Sequence, residues 1–164
     1  MMMGHWIARL IIAVCVALAL PVHAEEWGGI IPGKTLKFQV RERFGAPSRE
    51  VKKRVEQYDT IEWFYEQAKA PQGVTQMHVQ FGLLTPQGFN PDLVRALSLS
   101  PRPGVFTEEN ILTGWGQPDR VGAEQEKGQR IFFYKSGLVV LFEKDDQFAE
   151  RLLFTPPQAE APSR

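Results

Sequence analysis

Two short segments, Phe44-Gly45-Ala46-Pro47 and Trp115-Gly116-Gln117-Pro118, decide the predicted fold because they repeat one pattern at an offset of 71, from 44 to 115. Each has an aromatic residue, a glycine and, two residues later, a proline. This order is typical of a helix that ends at a glycine and cannot continue through proline. Pro32-Gly33 and Pro103-Gly104 recur at the same offset, so the sequence predicts an internal tandem repeat.

Strand-like segments follow each predicted helix. Trp63-Phe64-Tyr65 matches Phe132-Phe133-Tyr134, and Gln80-Phe81 matches Leu141-Phe142. Alternation and β-forming residues predict three strands in each copy, over 60–66, 76–81 and 93–99 and then over 130–135, 138–142 and 151–154. The predicted fold is therefore α+β, with two tandem α-β-β-β repeats, over 25–102 and 103–157, that share one antiparallel sheet with the helices on one face.

The two ends of the chain have a different character. Residues 1–24 contain one charge, Arg9, before the apolar run Leu10 to Leu20, and end in Val22-His23-Ala24. This pattern predicts a cleavable signal peptide, whose apolar run is too short to span a bilayer, and a soluble protein of the periplasm or the secreted milieu. Residues 158–164 offer little apolar surface to bury, and we predict a disordered tail there.

Composition excludes several classes of function. The chain has 19 Lys and Arg against 19 Asp and Glu, and removing residues 1–24 with their single Arg9 leaves 18 against 19. Such a balance argues against nucleic acid as a partner. The leader also holds Cys15 and two of the three histidines, which leaves His78 alone. We therefore expect no disulfide, no catalytic cysteine, no metal site and no cofactor.

The paired helix and strand motifs resemble a known family. A helix ending in aromatic-Gly-x-Pro, followed by a strand with paired aromatics ending in tyrosine, is similar to the small outer-membrane lipoprotein SmpA/OmlA family. In tandem, from about Gly33 to Pro157, the pattern resembles the β-lactamase-inhibitor-protein fold. The resemblance implies a non-catalytic binding module, either an envelope-assembly accessory or an inhibitor of a secreted enzyme.

Strand alternation predicts an unusual sheet in the second copy, apolar on both faces. The side toward the helices is predicted to carry Phe132, Tyr134, Leu138, Val140, Phe142 and Leu153. The opposite side, a candidate protein-binding or homodimer surface, is predicted to carry Ile131, Phe133, Val139, Leu141, Leu152 and Phe154. Cover by the protein's own loops or tail is the alternative. In the first copy the matching face is predicted to be polar and to include Glu62, Phe64, Gln76, His78 and Gln80.

A basic run follows the first predicted helix. Arg49, Lys52, Lys53 and Arg54 form a candidate site for an anionic lipid surface, and a solvated face is the ordinary alternative.

These observations favour an exported, non-catalytic protein-binding module of the cell envelope, with an envelope or secreted protein as partner. One alternative is an envelope lipid-binding or glycan-binding module in which Trp63, Trp115 and Phe133 provide stacking surfaces. Another is a small periplasmic hydrolase with a carboxylate or His78 as base, and for His78 the sequence shows no orienting partner.

Overall fold

The structure, a computed structural model, describes residues 25–126, 128–144 and 147–157. The predicted signal peptide at 1–24 and the predicted tail at 158–164 lie outside the described residues. Within the described ranges, none of the helices has the length and apolar character needed to cross a bilayer.

The described chain runs through a helix and four strands, and then through a second helix and four more strands. In order, the elements are α1 (Lys37–Phe44), β1 (Arg49–Val55), β2 (Tyr58–Glu66), β3 (Val74–Thr85), β4 (Gly88–Pro101), α2 (Glu108–Trp115), β5 (Arg120–Ala123), β6 (Arg130–Phe133), β7 (Leu138–Phe142) and β8 (Ala149–Phe154). A short 3-10 turn, Gln67–Lys69, separates β2 from β3.

All eight described strands form one antiparallel sheet in the order β1-β2-β3-β4-β8-β7-β6-β5. The two halves of the chain meet at β4 and β8, where Ser98 pairs with Leu153. The predicted α+β class and the single antiparallel sheet are confirmed.

The prediction of three strands after each helix was wrong, since four follow each helix. The missed strands, β1 and β5, are the two edges of the sheet. Five of the seven residues of β1 are charged (REVKKRV), and charged residues have low strand propensity. They suit an edge, however, because lysine on an edge strand discourages pairing with other chains. The second missed strand has only four residues and includes a glycine.

Both helices end as their sequences predict. Gly45 and Gly116 have φ values of 75° and 79°, in the region that glycine favours. At the start of α2, the Thr107 hydroxyl accepts a hydrogen bond from the Asn110 N–H at 3.1 Å, so Thr107 is the N-cap of this helix. In both halves the aromatic-Gly-x-Pro motif therefore ends a helix.

The tyrosine of each aromatic strand fastens the end of the preceding helix. The Tyr65 hydroxyl donates to the Gly45 carbonyl at 3.0 Å, and the Tyr134 hydroxyl donates to the Gly116 carbonyl at 3.0 Å. Burial raises the pKa of both hydroxyls to about 12. In both halves, the aromatic-Gly-x-Pro motif is therefore in contact with the aromatic strand motif that follows it.

A single core lies between the sheet and the helices. Val40 of α1 and Ile111 of α2 are fully buried in it, so both helices lie on the same side of the sheet. The strands contribute one edge-to-face aromatic pair in each half, Trp63 with Phe81 and Phe132 with Phe142, at centroid distances of 4.8 and 4.7 Å. Other buried strand residues include Tyr65, Met77, Val79, Leu97, Leu138, Val140, Leu152 and Phe154.

The predicted faces of β8 were reversed. Leu152 and Phe154, predicted on the surface away from the helices, have 0% exposure in the core, and Leu153, predicted in the core, points the other way. The cause is a register error of one residue, which exchanges the two faces of a strand. The strand pairing shows that Arg95 of β4 and Glu150 of β8 are extra residues in bulges, and a bulge of this kind shifts the alternation of the residues around it.

Candidate binding surface

The face of the sheet away from the helices, called the open face below, crosses all eight strands. One row of cross-strand partners runs along it from edge to edge: Arg49, Phe64, His78, Ser98, Leu153, Val139, Phe133 and Arg120. Partners in register point to the same side of a sheet, so these eight side chains share the open face. The row begins and ends with an arginine beside a phenylalanine.

In the second half, apolar side chains cover the open face. Ile131 pairs with Leu141, and Phe133 pairs with Val139, as the sequence predicts. Leu153 lies beside Val139 and joins them. These five residues, called the apolar patch below, are all half-buried. The structure thus brings together four of the six predicted protein-binding residues, replaces Leu152 and Phe154 with Leu153, and makes the patch continuous over three strands.

Cations border the apolar patch. The Arg120 guanidinium carbon lies 4.3 Å from the centre of the Phe133 ring. Arg151 is exposed and pairs with Leu141. Gly122 lies under the Phe133 ring, since a Cβ at this glycine would come within 3.0 Å of the ring. The glycine therefore lets the ring lie across edge strand β5.

A groove of about 640 Å³ lies at the end of the patch nearest β5. Its lining includes Arg120, Phe133, Lys135, Gly137, Val139 and Thr155. Gly137 has a φ of 105°, and any Cβ there would collide with the Thr155 carbonyl. The turn at this end of the groove therefore requires glycine.

The first half of the open face carries a polar network centred on Glu62. The Glu62 side chain is only 4% exposed, and its Oε2 lies 3.0 Å from Lys53 Nζ and 3.1 Å from His78 Nε2. Burial raises the pKa of Glu62, but Lys53 and His78 lower it by more, so the pKa lies below its usual value. Burial lowers the pKa of His78, against the opposing effect of Glu62.

The same network continues around Phe64. The His78 ring stacks on Phe64 with centroids 4.1 Å apart, and the Arg49 guanidinium lies 3.8 Å from the Phe64 centroid. Arg49 also forms an ion pair with Glu66 at 3.2 Å, and Gln76 donates a hydrogen bond to Glu66 at 2.6 Å. The polar groups of this half therefore bind one another.

Glu62 is the orienting partner of His78 that sequence reasoning missed. The two residues are distant in sequence and meet diagonally across β2 and β3, where Glu62 pairs with Gln80 and Phe64 with His78. A correct prediction of the residue pairing between β2 and β3 would have placed these two side chains next to each other. Among the described residues, the side-chain hydrogen-bond partner of His78 is Glu62.

The four predicted lipid-surface residues lie on β1 but divide between its two faces. Arg49 and Lys53 are on the open face, where they form ion pairs with Glu66 and Glu62. Lys52 and Arg54 point to the other side and form no ion pair within the described ranges. Binding to an anionic lipid surface stays a prediction for these residues.

The three predicted stacking residues do not form one platform. Trp63 is 3% exposed and donates from Nε1 to Glu50 at 2.8 Å, so it belongs to the core. Trp115 packs against the core side of the sheet, with its ring centre 6.0 Å from that of Phe154. Phe133 alone lies on the open face. Across the described ranges, no three His, Cys, Asp or Glu side chains gather in a way that could hold a metal ion.

Comparison with known proteins identifies no family. No family model matches the chain, and no curated protein matches it. A solved structure that the chain matches is that of a DUF4309 family protein (YjgB) from Bacillus subtilis, at 14% sequence identity and a TM-score of 0.48. The match covers 78% of this chain and 82% of that chain. A likeness of this size carries no argument about function.

Proposed function

We propose that the protein is an exported, non-catalytic protein-binding module of the cell envelope, and that the apolar patch contacts its partner. The carrying observation is that Ile131, Phe133, Val139, Leu141 and Leu153 form a continuous, half-buried apolar surface on the open face. The leader pattern of residues 1–24 supports export, and the resemblance to SmpA/OmlA and to the tandem inhibitor fold supports binding without catalysis.

The first half gives the reason to assign the patch to binding. It has the same arrangement of strands, yet its open face carries Glu62, His78 and Gln80 at matching places. Apolar side chains at these places are therefore not needed to form the sheet. At about 25 cal/mol per Å² of apolar area, a patch of this kind offers a partner several kcal/mol.

The composition of the patch and its border suits a protein partner. Interfaces are enriched in aromatic residues and arginine, with an apolar centre and a polar rim. Phe133 and its apolar neighbours supply the centre, and Arg120 and Arg151 lie at its border. The polar network of the first half extends the same face with charged groups.

The proposal includes the internal repeat, with each half as one copy. Two matched hydrogen bonds support it: Tyr65 to Gly45 and Tyr134 to Gly116, both at 3.0 Å. Similar values of φ and ψ at the two glycines also support it. Each copy then contains four strands, and the two copies differ in the chemistry of their open faces.

A capture experiment tests the proposal. Val139→His with Leu141→Gln gives the patch the residues that the first half carries at matching places, so the sheet should still form. We expect the double variant to fold and to lose, by about thirtyfold or more, its crosslinking to the envelope protein that the wild type captures. Phe38→Gln is the matched control, because Phe38 is 62% exposed on α1 outside the sheet.

Light scattering separates a foreign partner from a second copy. If the wild type is a dimer and the double variant a monomer, the partner is another copy of this chain. If the folded double variant and the wild type crosslink the same protein equally well, the patch is not the binding surface and the proposal fails.

A further inference from the structure

We propose that the groove beside Arg120 is a binding site for a long-chain carboxylic acid, with the carboxylate at Arg120 and the chain against Phe133 and Val139. The site shares Phe133 and Val139 with the proposed protein-binding surface, but it takes a different kind of ligand and its lining does not include Leu141.

The groove has the size and lining of a small-molecule site. Its volume of about 640 Å³ lies within the range of roughly 300–1,000 Å³ that is usual for ligand pockets. Phe133 and Val139 form apolar walls, and the Gly137 turn keeps one end free of side chain. Thr155 adds a hydroxyl, which already bonds to the Gly137 carbonyl at 3.2 Å.

Comparison with the first half points to the charge of the ligand. There, Arg49 lies over Phe64 in the same way, but Glu66 forms an ion pair with it at 3.2 Å. Arg120 lies over Phe133 and forms no ion pair within the described ranges. The second arginine thus lacks the anion that the first one has.

The matching residues explain this difference. Glu66 and Lys135 each follow the tyrosine that bonds to a helix end, and their backbone N–H groups donate to Ser48 at 2.9 Å and to Asp119 at 2.8 Å. The second half therefore has a lysine where the first has the ion-paired glutamate. Asp119 also lines the groove; its Oδ2 accepts the hydrogen bond from the Lys135 N–H, and no ion pair joins it to Arg120 among the described residues. A ligand carboxylate would supply the missing anion.

Arginine suits this task because its planar guanidinium can bind both oxygens of a carboxylate. The Phe133 ring holds the guanidinium at the border of the groove, which reduces the freedom that it loses on binding. The chain then lies on the apolar walls, where each buried methylene strengthens binding about fourfold.

Titration calorimetry with the purified protein tests the site, using dodecanoate below its micelle-forming concentration. Dodecyltrimethylammonium is the control for the charge of the head group, and acetate is the control for the chain. We expect dodecanoate to bind and both controls to bind at least tenfold more weakly. Backbone amide NMR should place the largest shifts at Gly137 and Val139.

Three variants make the test specific. Arg120→Gln should weaken dodecanoate binding about tenfold or more, whereas Arg49→Gln, which removes the matching arginine over Phe64, should leave it unchanged. Leu141→Gln should also leave it unchanged, because Leu141 lies outside the groove lining, although this variant is expected to weaken capture of a protein partner. Loss of one activity without the other separates the two proposals.

The site is disproved if dodecanoate does not bind, if dodecyltrimethylammonium binds equally well, or if Arg120→Gln and Arg49→Gln have the same effect. Arg120→Gln and Arg49→Gln change exposed residues of the edge strands, so a failure to fold is not expected. A thermal unfolding curve for each variant confirms this before the titration.

Discussion

The two halves of the open face have the same geometry and opposite chemistry. Across the matched strand pairs, Glu62, His78, Gln80 and Glu66 in the first half correspond to Ile131, Val139, Leu141 and Lys135 in the second. In the first half, charged and polar side chains bind one another and leave little unsatisfied. In the second half, the same positions present an apolar surface with cations at its border. The difference teaches that the fold tolerates either chemistry, so the apolar version calls for a functional reason.

The shared features belong to the scaffold. In both halves an arginine lies over a phenylalanine, a tyrosine bonds to the glycine that ends the helix, and an edge-to-face aromatic pair fills the core. The tyrosine hydrogen bonds tie each helix end to the sheet, whereas the arginine–phenylalanine contacts lie on the open face. The open-face residues make no such contact with the helices, which leaves their chemistry free to differ.

The largest expected effect tests which residues of β8 face the core and which lie on the open face. Leu152→Glu should destabilise the protein by about 4 kcal/mol or more, because it places a charge in the core at a residue with 0% exposure. Leu153→Glu, one residue along on the open face, should cost about 1 kcal/mol or less. Urea denaturation of both variants measures the difference. Equal costs would contradict the assigned faces.

An intermediate effect tests whether the two scaffolds are equivalent. Tyr65→Phe and Tyr134→Phe each remove a buried hydroxyl and leave a glycine carbonyl without its donor, at a cost of about 1–2 kcal/mol each. Thermal unfolding of the two variants provides the comparison. Similar losses would support two equivalent halves, and a large loss in one half with none in the other would show that the hydrogen bonds are not equivalent.

The smallest effect concerns pH and centres on His78 of the first half. Because burial holds the folded pKa of His78 below its usual 6.5, the unfolded chain takes up a proton first as the pH falls, and the free energy of unfolding decreases below about pH 6.5. The lowered pKa of Glu62 adds a further decrease below about pH 4.5. Lys53 and Arg49 also face His78 and disfavour its charged form.

His78→Val, which introduces the residue found at the matching place in the second half, should remove the first of these decreases. Urea unfolding near pH 7.5, 6 and 5 measures it. An unchanged pH dependence in the variant would assign the effect to other groups.

Sequence patterns predicted the class, the helix ends and most of the apolar patch, since these depend on local signals: glycine and proline after an aromatic residue, and alternation over short strands. They missed β1 because its charged residues have low strand propensity, and they missed β5 because it has only four residues. They also reversed Leu152 and Leu153, because the matched bulges at Arg95 and Glu150 are visible only in the strand pairing.

Local patterns could not predict the Glu62–His78 contact, nor that Arg120 has no ion pair among the described residues, for a related reason. Each depends on residues that meet across strands: Glu62 reaches His78 diagonally, and Arg120 differs from Arg49 through the replacement of Glu66 by Lys135. Side-chain pairing of this kind is set by the register of the whole sheet.

Footprinting of the captured complex by hydroxyl radicals tests the central claim most directly, because it reports which half of the open face becomes covered. We predict protection at Phe133, Leu141 and Leu153 and little change at the exposed Phe38 of α1. Protection confined to Phe64 and His78, or to Phe38, with Phe133 and Leu141 as reactive as in the free protein, would contradict the account.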